Sequence, residues 1–330
     1  MMLTVICPGL LGPLPYLPQP RPPLPTLNRL LGRALAQQVA MTSPEAAVLA
    51  ACGCHPAAPT GALSLYGEAG DWDASGNWFH ADPVHLRPDR EQLLLFSGAT
   101  IAPDAAEAAA LVALFNQHFA ADGLHLLAAT PERWYLRTAQ PVAVDSPPLA
   151  QVQGRALHPD MMTGADARRW QCLLNETQML FFNSEVNRLR ERQRRPLISG
   201  MWTWGGGQLP QSSAVALPQL IGDLPLLRGL ARHAAGEHRP LAQWLAAAAP
   251  VANCLIYWDK AEKALQNHDV AAWATALVEL DAALVAPERQ LRAEDGQLAL
   301  LDPELGRRFQ VSRTALRRFW RRQDLFALMG

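Results

Sequence analysis

Two tryptophans and three glycines stand together in the stretch MWTWGGG. In a strand, the side chains of Trp202 and Trp204 would point to the same face. The glycines Gly205, Gly206 and Gly207 would let the backbone bend tightly or approach a ligand, and their N–H groups could hold an anion. No Gly-Lys-Ser/Thr follows and the glycine spacing is wrong for a dinucleotide fingerprint, so neither phosphate-binding motif is present. The plainer alternative is a strand that ends in a tight turn.

Cationic side chains that could bind an anion occur in two other segments. His80 lies in WFHADPVHLR, and Arg133 and Arg137 lie in PERWYLRT. If PERWYLRT is a strand, the two arginines share a face, and guanidinium groups suit phosphate or carboxylate ligands. The alternative is a solvated sheet edge, where charged side chains are common.

A candidate metal site lies in the segment DKAEKALQNHD, which contains Asp259, His268 and Asp269. Carboxylate and imidazole groups are common ligands of divalent ions. Lys260 and Lys263 stand in the same segment, and their positive charge opposes the binding of a cation. We therefore expect no metal and no other cofactor. The alternative is a divalent ion (manganese, magnesium or zinc) at these three residues.

The composition limits the classes of function. The chain has 330 residues, enough for two structural units, and its 49% hydrophobic and 18% charged residues favour a folded protein. A net charge of −1 gives no overall attraction to nucleic acid or to an anionic membrane. No unbroken apolar run of about 18 residues predicts a membrane span. The five cysteines are scattered and odd in number, which favours a reducing cytoplasm over a disulfide framework.

The elements that must position these residues can be read from the apolar pattern. A short apolar run over residues 3–7 predicts a buried strand, and the polar segment 70–77 indicates a boundary between units. Beyond that boundary, the order strand, strand, helix, strand, strand predicts a small α+β unit with the helix on one face of the sheet. The tail SRTALRRFWRRQDLFALMG predicts an amphipathic basic helix.

Longer motifs occur in a fixed order: HADPVHLRPDREQLLLFSGAT, PERWYLRT, LNETQMLFFNSEVNRLRERQRRPLISGMWTWGGGQLP and LPLLRGLARHAAG. This set resembles the archaeal-type, cofactor-independent phosphoglycerate mutases, best over residues 66–236. It is more similar still to a degenerate bacterial group whose members are called phosphoglycerate mutases or regulatory proteins. The resemblance implies an α/β fold in which residues 1–75 and 196–330 form an alkaline-phosphatase-like core that ends in the basic helix. Residues 76–195 would form an inserted α+β domain.

The chain departs from the family at the residues that would carry its chemistry. Family members hold two divalent metals with Asp and His, and a Ser carries the phosphoryl group; the metals neutralise phosphate charge and activate the nucleophile. Where the family has Asp-Gly after its first strand, this chain has Pro8 and Gly9, and Asn28 replaces another Asp. The resemblance places Ala58 at the serine and Pro59 at the Asp beside it.

In the inserted domain, the resemblance implies that Arg133 is a substrate-binding arginine and that His80 replaces another one. We therefore predict a degenerate, cytoplasmic, bacterial protein that lacks the two-metal phosphoryl-transfer site and acts in ligand binding or regulation. The predicted ligand-binding residues are the following: His80, Arg133, Trp202, Trp204, Gly205, Gly206 and Gly207. The expected partner is a phosphorylated small molecule or a protein, rather than a membrane or nucleic acid. The alternatives are an active mutase or phosphatase with a rearranged metal site, and an interaction module that uses the basic terminal helix.

Overall fold

The computed structural model describes residues 1–68, 72–89, 92–211, 216–247 and 252–329. The chain divides into two compact units. The first unit comprises Met1–Pro56 and Ala214–Gly330, and the second unit comprises Ala57–Ser213. In sequence, the second unit is therefore an insertion in the first.

The helices and strands alternate along much of the chain. The strands are β1 (Met2–Ile6), β2 (Leu35–Gln38), β3 (Asn77–Asp89), β4 (Gln92–Phe96), β5 (Leu124–Ala128), β6 (Trp134–Thr138), β7 (Ala156–Leu157), β8 (Gly200–Gly207), β9 (Gln219–Ile221), β10 (His238–Arg239), β11 (Asn253–Tyr257), β12 (Gln297–Asp302) and β13 (Arg307–Ser312). The helices are α1 (Pro25–Arg33), α2 (Pro44–Ala51), α3 (Thr60–Glu68), α4 (Ala105–His118), α5 (Leu149–Val152), α6 (Ala167–Phe182), α7 (Glu185–Arg192), α8 (Pro225–His233), α9 (Leu241–Ala247), α10 (Lys260–Gln266), α11 (Val270–Ala283) and α12 (Val285–Ala293).

The first unit contains a seven-stranded sheet in the order β10-β9-β11-β1-β12-β13-β2. The apolar strand β1 lies between β11 and β12 and runs parallel to both, with Val5 opposite Ile256 and Leu300. At one edge, β13 and β2 are antiparallel. Side chains of the strands share one apolar core with helices α1, α10, α11 and α12. This arrangement confirms the predicted α/β class.

One described segment, Val270–Ala293, is long and apolar enough to cross a membrane by length and composition. It contains α11 and α12, and its apolar side chains Trp273, Leu277 and Leu280 are buried in the core of the first unit. The same segment carries the charged residue Glu279, so the apolar run is not unbroken. Burial in the core accounts for its apolar composition.

In the second unit, β3 is the long strand that pairs with three others. Its first half pairs with β6 and β8, and its second half pairs with β4, all antiparallel. Strands β5 and β7 extend the sheet beyond β6 and β4. Phe115 of α4 and Trp170 and Phe181 of α6 share an apolar core with the sheet. An antiparallel sheet with helices packed on it is an α+β arrangement.

The second unit is longer at both ends than the predicted 76–195, because α3 and β8 belong to it. Strand β8 forms its ladder with β3, from Val84 opposite Gly200 to Trp78 opposite Gly207. Helix α3 lies so close to β3 that a side chain at Gly61 would come within 2.7 Å of the Trp78 carbonyl oxygen. The chain therefore returns to the first unit only after β8.

The predicted basic terminal helix is wrong. The described tail contains only two short 3-10 helices, Ala315–Arg317 and Leu325–Leu328. Tertiary hydrogen bonds hold the tail against α1: the Leu325 amide donates to Oδ1 of Asn28 at 2.9 Å, and Arg33 donates to the Leu316 carbonyl oxygen at 2.9 Å. These contacts bury Leu316 and Leu325 at a spacing that one continuous helix does not provide.

Candidate functional site

His80 lies at the centre of a buried polar cluster in the second unit. The pairing of β3 with β8 and β6 places it opposite Trp204 on one side and Tyr135 on the other. The His80 ring stacks on Trp204, with ring centroids 3.9 Å apart and planes inclined by 12°. The Tyr135 ring lies 5.3 Å away. The sheet therefore brings together two of the predicted site residues, His80 and Trp204.

The environment of His80 keeps its ring neutral. Only 7% of the residue is exposed, and Nε2 has no hydrogen-bond partner among the described residues. Burial is the main reason that the pKa of His80 falls to about 3; the Thr60 backbone raises this pKa and the charge of Arg133 lowers it, each to a smaller extent. A neutral, buried imidazole gives no charge attraction to an anion.

Asp82 follows His80 on the same face of β3 and is also buried. Its Oδ2 accepts a hydrogen bond from Nε1 of Trp204 at 3.2 Å. The indole of Trp204 is thus held by a stacking contact and by a hydrogen bond, so this tryptophan is fixed by the protein's own groups.

The guanidinium of Arg133 is already paired within the second unit. The residue lies immediately before β6, and its Nε and NH2 groups donate to Oε1 of Glu68 at 2.9 and 2.5 Å. The other carboxylate oxygen of Glu68 accepts a hydrogen bond from the Tyr135 hydroxyl at 2.7 Å. Arg137, which was expected to act with Arg133, pairs with Asp73 instead. Each arginine therefore has its own carboxylate, and little net positive charge remains for an anion.

The three glycines at the end of β8 allow a close approach, and the groups that approach are the protein's own. Gly205 has φ of +62°, and a Cβ atom there would lie 2.0 Å from Oγ1 of Thr60. A Cβ atom at Gly206 would lie 2.0 Å from the Phe79 ring, and one at Gly207 would lie 2.9 Å from Pro59. These residues need glycine because β8 packs tightly there. Ligand binding by the glycine run remains a prediction.

Trp202 occupies a different setting from Trp204. Its Nε1 donates to the Pro147 carbonyl oxygen at 2.9 Å. The residue lines a cavity of about 270 Å³ together with apolar side chains that include Met162 and Leu174. The two tryptophans therefore do not form one binding surface with His80.

The alternative metal ligands are not brought together. Asp259 pairs with Nζ of Lys263 at 2.5 Å, and Oδ1 of Asp269 caps α11 by accepting from the Ala272 amide at 2.9 Å. His268 is exposed, and the whole of α10 separates it from Asp259, a span of roughly 10 Å at 1.5 Å per residue. Over the described ranges, no group of three His, Cys, Asp or Glu side chains could hold a metal ion.

A second cluster lies at the carboxyl edge of the parallel strands in the first unit, where α/β proteins commonly bind ligands. Cys7, Asp259 and Asp302 stand at or just after the ends of β1, β11 and β12. Asp302 is buried, and its carboxylate accepts from the amides of Leu11 at 3.0 Å and Leu305 at 3.4 Å. Burial raises the pKa of Asp302 to about 6, against these backbone hydrogen bonds.

Glu262 and Glu45 complete this carboxyl-edge cluster. Burial, then the charge of Glu45, raises the pKa of Glu262 to about 8, and the Tyr257 hydroxyl lies 2.9 Å from its Oε2. Burial and the nearby carboxylates also raise the pKa of the Cys7 thiol well above its ordinary value. Cys7 is therefore protonated at neutral pH and does not act as a thiolate nucleophile.

Sequence reasoning missed several members of both clusters. Asp82 lies two residues after His80, and Tyr135 lies two residues after Arg133, so strand alternation could have grouped each pair. Glu262 follows Asp259 by three residues on one helical turn, which is also a visible signal. No local signal indicates that Glu68 pairs with Arg133, because the two are 65 residues apart.

Comparison with known proteins adds a fold relationship. No family sequence model and no curated protein sequence matches the chain. A solved structure of the PH0037 protein from Pyrococcus horikoshii is similar, with a TM-score of 0.57 and 12% identity, over 99% of this chain and 92% of that chain. A cofactor-independent phosphoglycerate mutase from Thermoplasma acidophilum has a TM-score of 0.43 and 14% identity, over 99% of this chain and 97% of that chain. The similarity to PH0037 indicates a shared fold over the whole chain.

Proposed function

We propose that this chain is a phosphoglycerate-mutase-like protein that has lost two-metal phosphoryl transfer and acts through binding or regulation. The ordered motifs over residues 66–236 support the mutase-like assignment. An alkaline-phosphatase-like core, a bacterial source and a cytoplasmic location belong to the same proposal.

The observation that carries this proposal is that two carboxylates at the carboxyl edge, Asp302 and Asp259, are already bound to groups of the protein. Asp302 holds two loop amides, and Asp259 is paired with Lys263. Pro8 stands where the family has a metal-binding Asp and provides no oxygen ligand from its side chain. The family's metals therefore do not fit the residues present here.

The nucleophile position supports the same conclusion. Ala58 and Pro59 carry no hydroxyl, and the neighbouring Thr60 is 7% exposed with its Oγ1 buried. A substrate phosphoryl group needs access to the attacking oxygen along the line of the bond that breaks. Burial of Thr60 against Gly205 denies that access.

Metal analysis and activity measurements on the full-length protein test the proposal. We expect no stoichiometric divalent metal after incubation with manganese, and no conversion of 3-phosphoglycerate in an enolase-coupled assay. The variants Asp259→Asn and His268→Ala should leave both results unchanged. Tightly bound metal together with turnover that is lost in Asp259→Asn would contradict the proposal and support the active alternative.

A phosphorylated ligand at Arg133 remains part of the proposal and has a separate test. Because Glu68 already neutralises Arg133, we expect 3-phosphoglycerate to bind weakly in calorimetry. Glu68→Gln should strengthen binding by leaving the guanidinium charge uncompensated, and Arg133→Ala should abolish it. If affinity is unchanged in both variants, Arg133 is not the anion site.

A further inference from the structure

The tail of the first unit exposes an unusual sequence, RRFWRR, at residues 317–322. We call it the arginine–aromatic hexad. Phe319 is 72% exposed and Trp320 is 67% exposed, although aromatic residues of this size are normally buried. Their rings pack edge to face, with centroids 5.2 Å apart and planes inclined by 83°. Two arginines precede this aromatic pair and two follow it, and all four are exposed.

Buried residues anchor both ends of the hexad. Leu316 on one side and Leu325 and Phe326 on the other lie in the core of the first unit. The backbone after the hexad passes so close to α1 that a Cβ atom at Gly32 would lie 2.7 Å from the Gln323 amide nitrogen. The hexad is therefore held in place at both ends. A partner that binds it orders few additional residues, so binding loses little conformational entropy.

The charges of the hexad are available for a partner. Within the described parts of the chain, none of its four arginines, Arg317, Arg318, Arg321 and Arg322, forms an ion pair. The flanking acid Asp324 faces Arg21 instead, at 3.6 Å. Because the whole chain carries −1, a segment that carries +4 leaves a net charge of −5 on the remainder. The hexad is thus a local positive site on an otherwise acidic chain.

We propose that the arginine–aromatic hexad is the docking site for an acidic segment of a partner protein. Carboxylates of that segment would pair with the arginines, and an apolar side chain would pack against Phe319 and Trp320. Tryptophan and arginine are the residues that most often dominate the energetics of protein–protein interfaces. This inference is independent of whether the carboxyl edge of the first unit is catalytic.

Two features favour a short protein segment over nucleic acid or a membrane. The six residues of the hexad span at most about 20 Å of extended chain. A long polyanion would extend beyond them onto the rest of the chain, whose net negative charge would repel it. The edge-to-face rings form a knob rather than a set of parallel faces on which successive bases could stack. The knob also consists of only two apolar residues, whereas stable membrane anchoring needs a larger buried apolar area.

Selection of peptides on the intact protein tests the proposal. A library of random 12-residue peptides is selected on the wild type, with counter-selection on the double variant Phe319→Ser, Trp320→Ser. The matched control is the double variant Tyr16→Ser, Arg168→Ser, which removes one exposed aromatic and one exposed arginine outside the hexad. Thermal unfolding checks that all variants remain folded. A single-stranded oligonucleotide (dT20) and phosphatidylserine vesicles are titrated in parallel.

We expect enriched peptides that are rich in Asp and Glu around an apolar residue. They should bind the wild type and the control equally, and the hexad variant about tenfold more weakly or worse, as loss of an interface hot spot implies. Replacing all four arginines by lysine should also weaken binding, because lysine cannot bind a carboxylate bidentately. Failure to enrich peptides, enrichment of non-acidic peptides, or tighter hexad-dependent binding of dT20 or vesicles would overturn the assignment.

Discussion

Replacement of Glu262 by glutamine should stabilise the first unit at alkaline pH and leave its stability unchanged in acid. Burial, with the charges of Glu45, Glu304 and Asp259, raises the pKa of Glu262 from 4.5 to about 8. The folded protein therefore holds a proton at Glu262 that the unfolded chain has released between these two pH values. Stability falls as pH rises through this window, because the unfolded state binds fewer protons there.

The magnitude follows from the separation of the two pKa values. Each pH unit of separation is worth about 1.4 kcal/mol, so a fully buried carboxyl would lose about 5 kcal/mol of stability above pH 8. Glu262 is only partly buried, and solvent screens part of this cost, so we expect about 2 kcal/mol. Glutamine keeps the size of the side chain and an oxygen that can accept from the Tyr257 hydroxyl.

Differential scanning calorimetry between pH 5 and pH 9 measures this effect. At pH 9, Glu262→Gln should unfold about 5 °C above the wild type, and the two curves should converge towards pH 5. Glu294→Gln is the matched control, because this carboxyl is exposed, and it should shift the midpoint little at any pH. A shift in Glu262→Gln that does not depend on pH, or that is destabilising at pH 9, would refute the account of the carboxyl-edge cluster.

Three further predictions, two of them with a control substitution, test the second unit by calorimetry. Gly205→Ala should cost about 2–4 kcal/mol, because it combines a φ of +62° with a clash, whereas Gly154→Ala, at a φ of +70° with open space, should cost about 1 kcal/mol; equal costs would contradict the packing account. His80→Gln should reduce the loss of stability as pH falls from 6.5 towards 3, because the lowered pKa of the buried imidazole makes protonation unfavourable in the folded protein. The same loss of stability in the variant and the wild type over this pH range would contradict this. Arg190→Ala should cost about 3–5 kcal/mol because it removes a fully buried guanidinium that pairs with the partly buried Glu107, and exposed Arg188→Ala should cost less than about 0.5 kcal/mol; a small effect at Arg190 would show that this ion pair is dispensable.

Local sequence patterns predicted the class of the fold but not the limits of its units. The apolar strand at the start of the chain and the alternation of strands with helices were sufficient for the α/β class. The limits depend on the pairing of β8 with β3, where His80 and Trp204 are opposite each other although 124 positions separate them in the sequence. The tail shows the same limitation, because the hydrogen bond between Asn28 and Leu325 overrides a helical apolar pattern.

At the candidate site, the chemical type of a residue was easier to predict than its charge and its pairing. The sequence identifies His80 and Arg133 as groups that could bind an anion, yet burial makes one neutral and Glu68 compensates the other. Both effects depend on neighbours that are distant in sequence. The glycine run was ambiguous for a similar reason. Positive φ at Gly205 and Gly207 suits either a ligand or close packing, and the residues that pack there, Thr60 and Pro59, are distant in sequence.

A side chain that binds a partner must be accessible, must have unsatisfied charge or apolar surface, and must be held in place. His80 fails the first condition, since only 7% of the residue is exposed, and Arg133 fails the second because of its pairing with Glu68. The arginine–aromatic hexad meets all three conditions, with exposed rings, arginines without ion pairs to the described residues and anchored ends. If binding is the function of this chain, the interaction energy is therefore expected from the tail rather than from the residues that the family resemblance indicates. Peptide affinity that depends on Trp320 and not on Arg133 would separate these two sources.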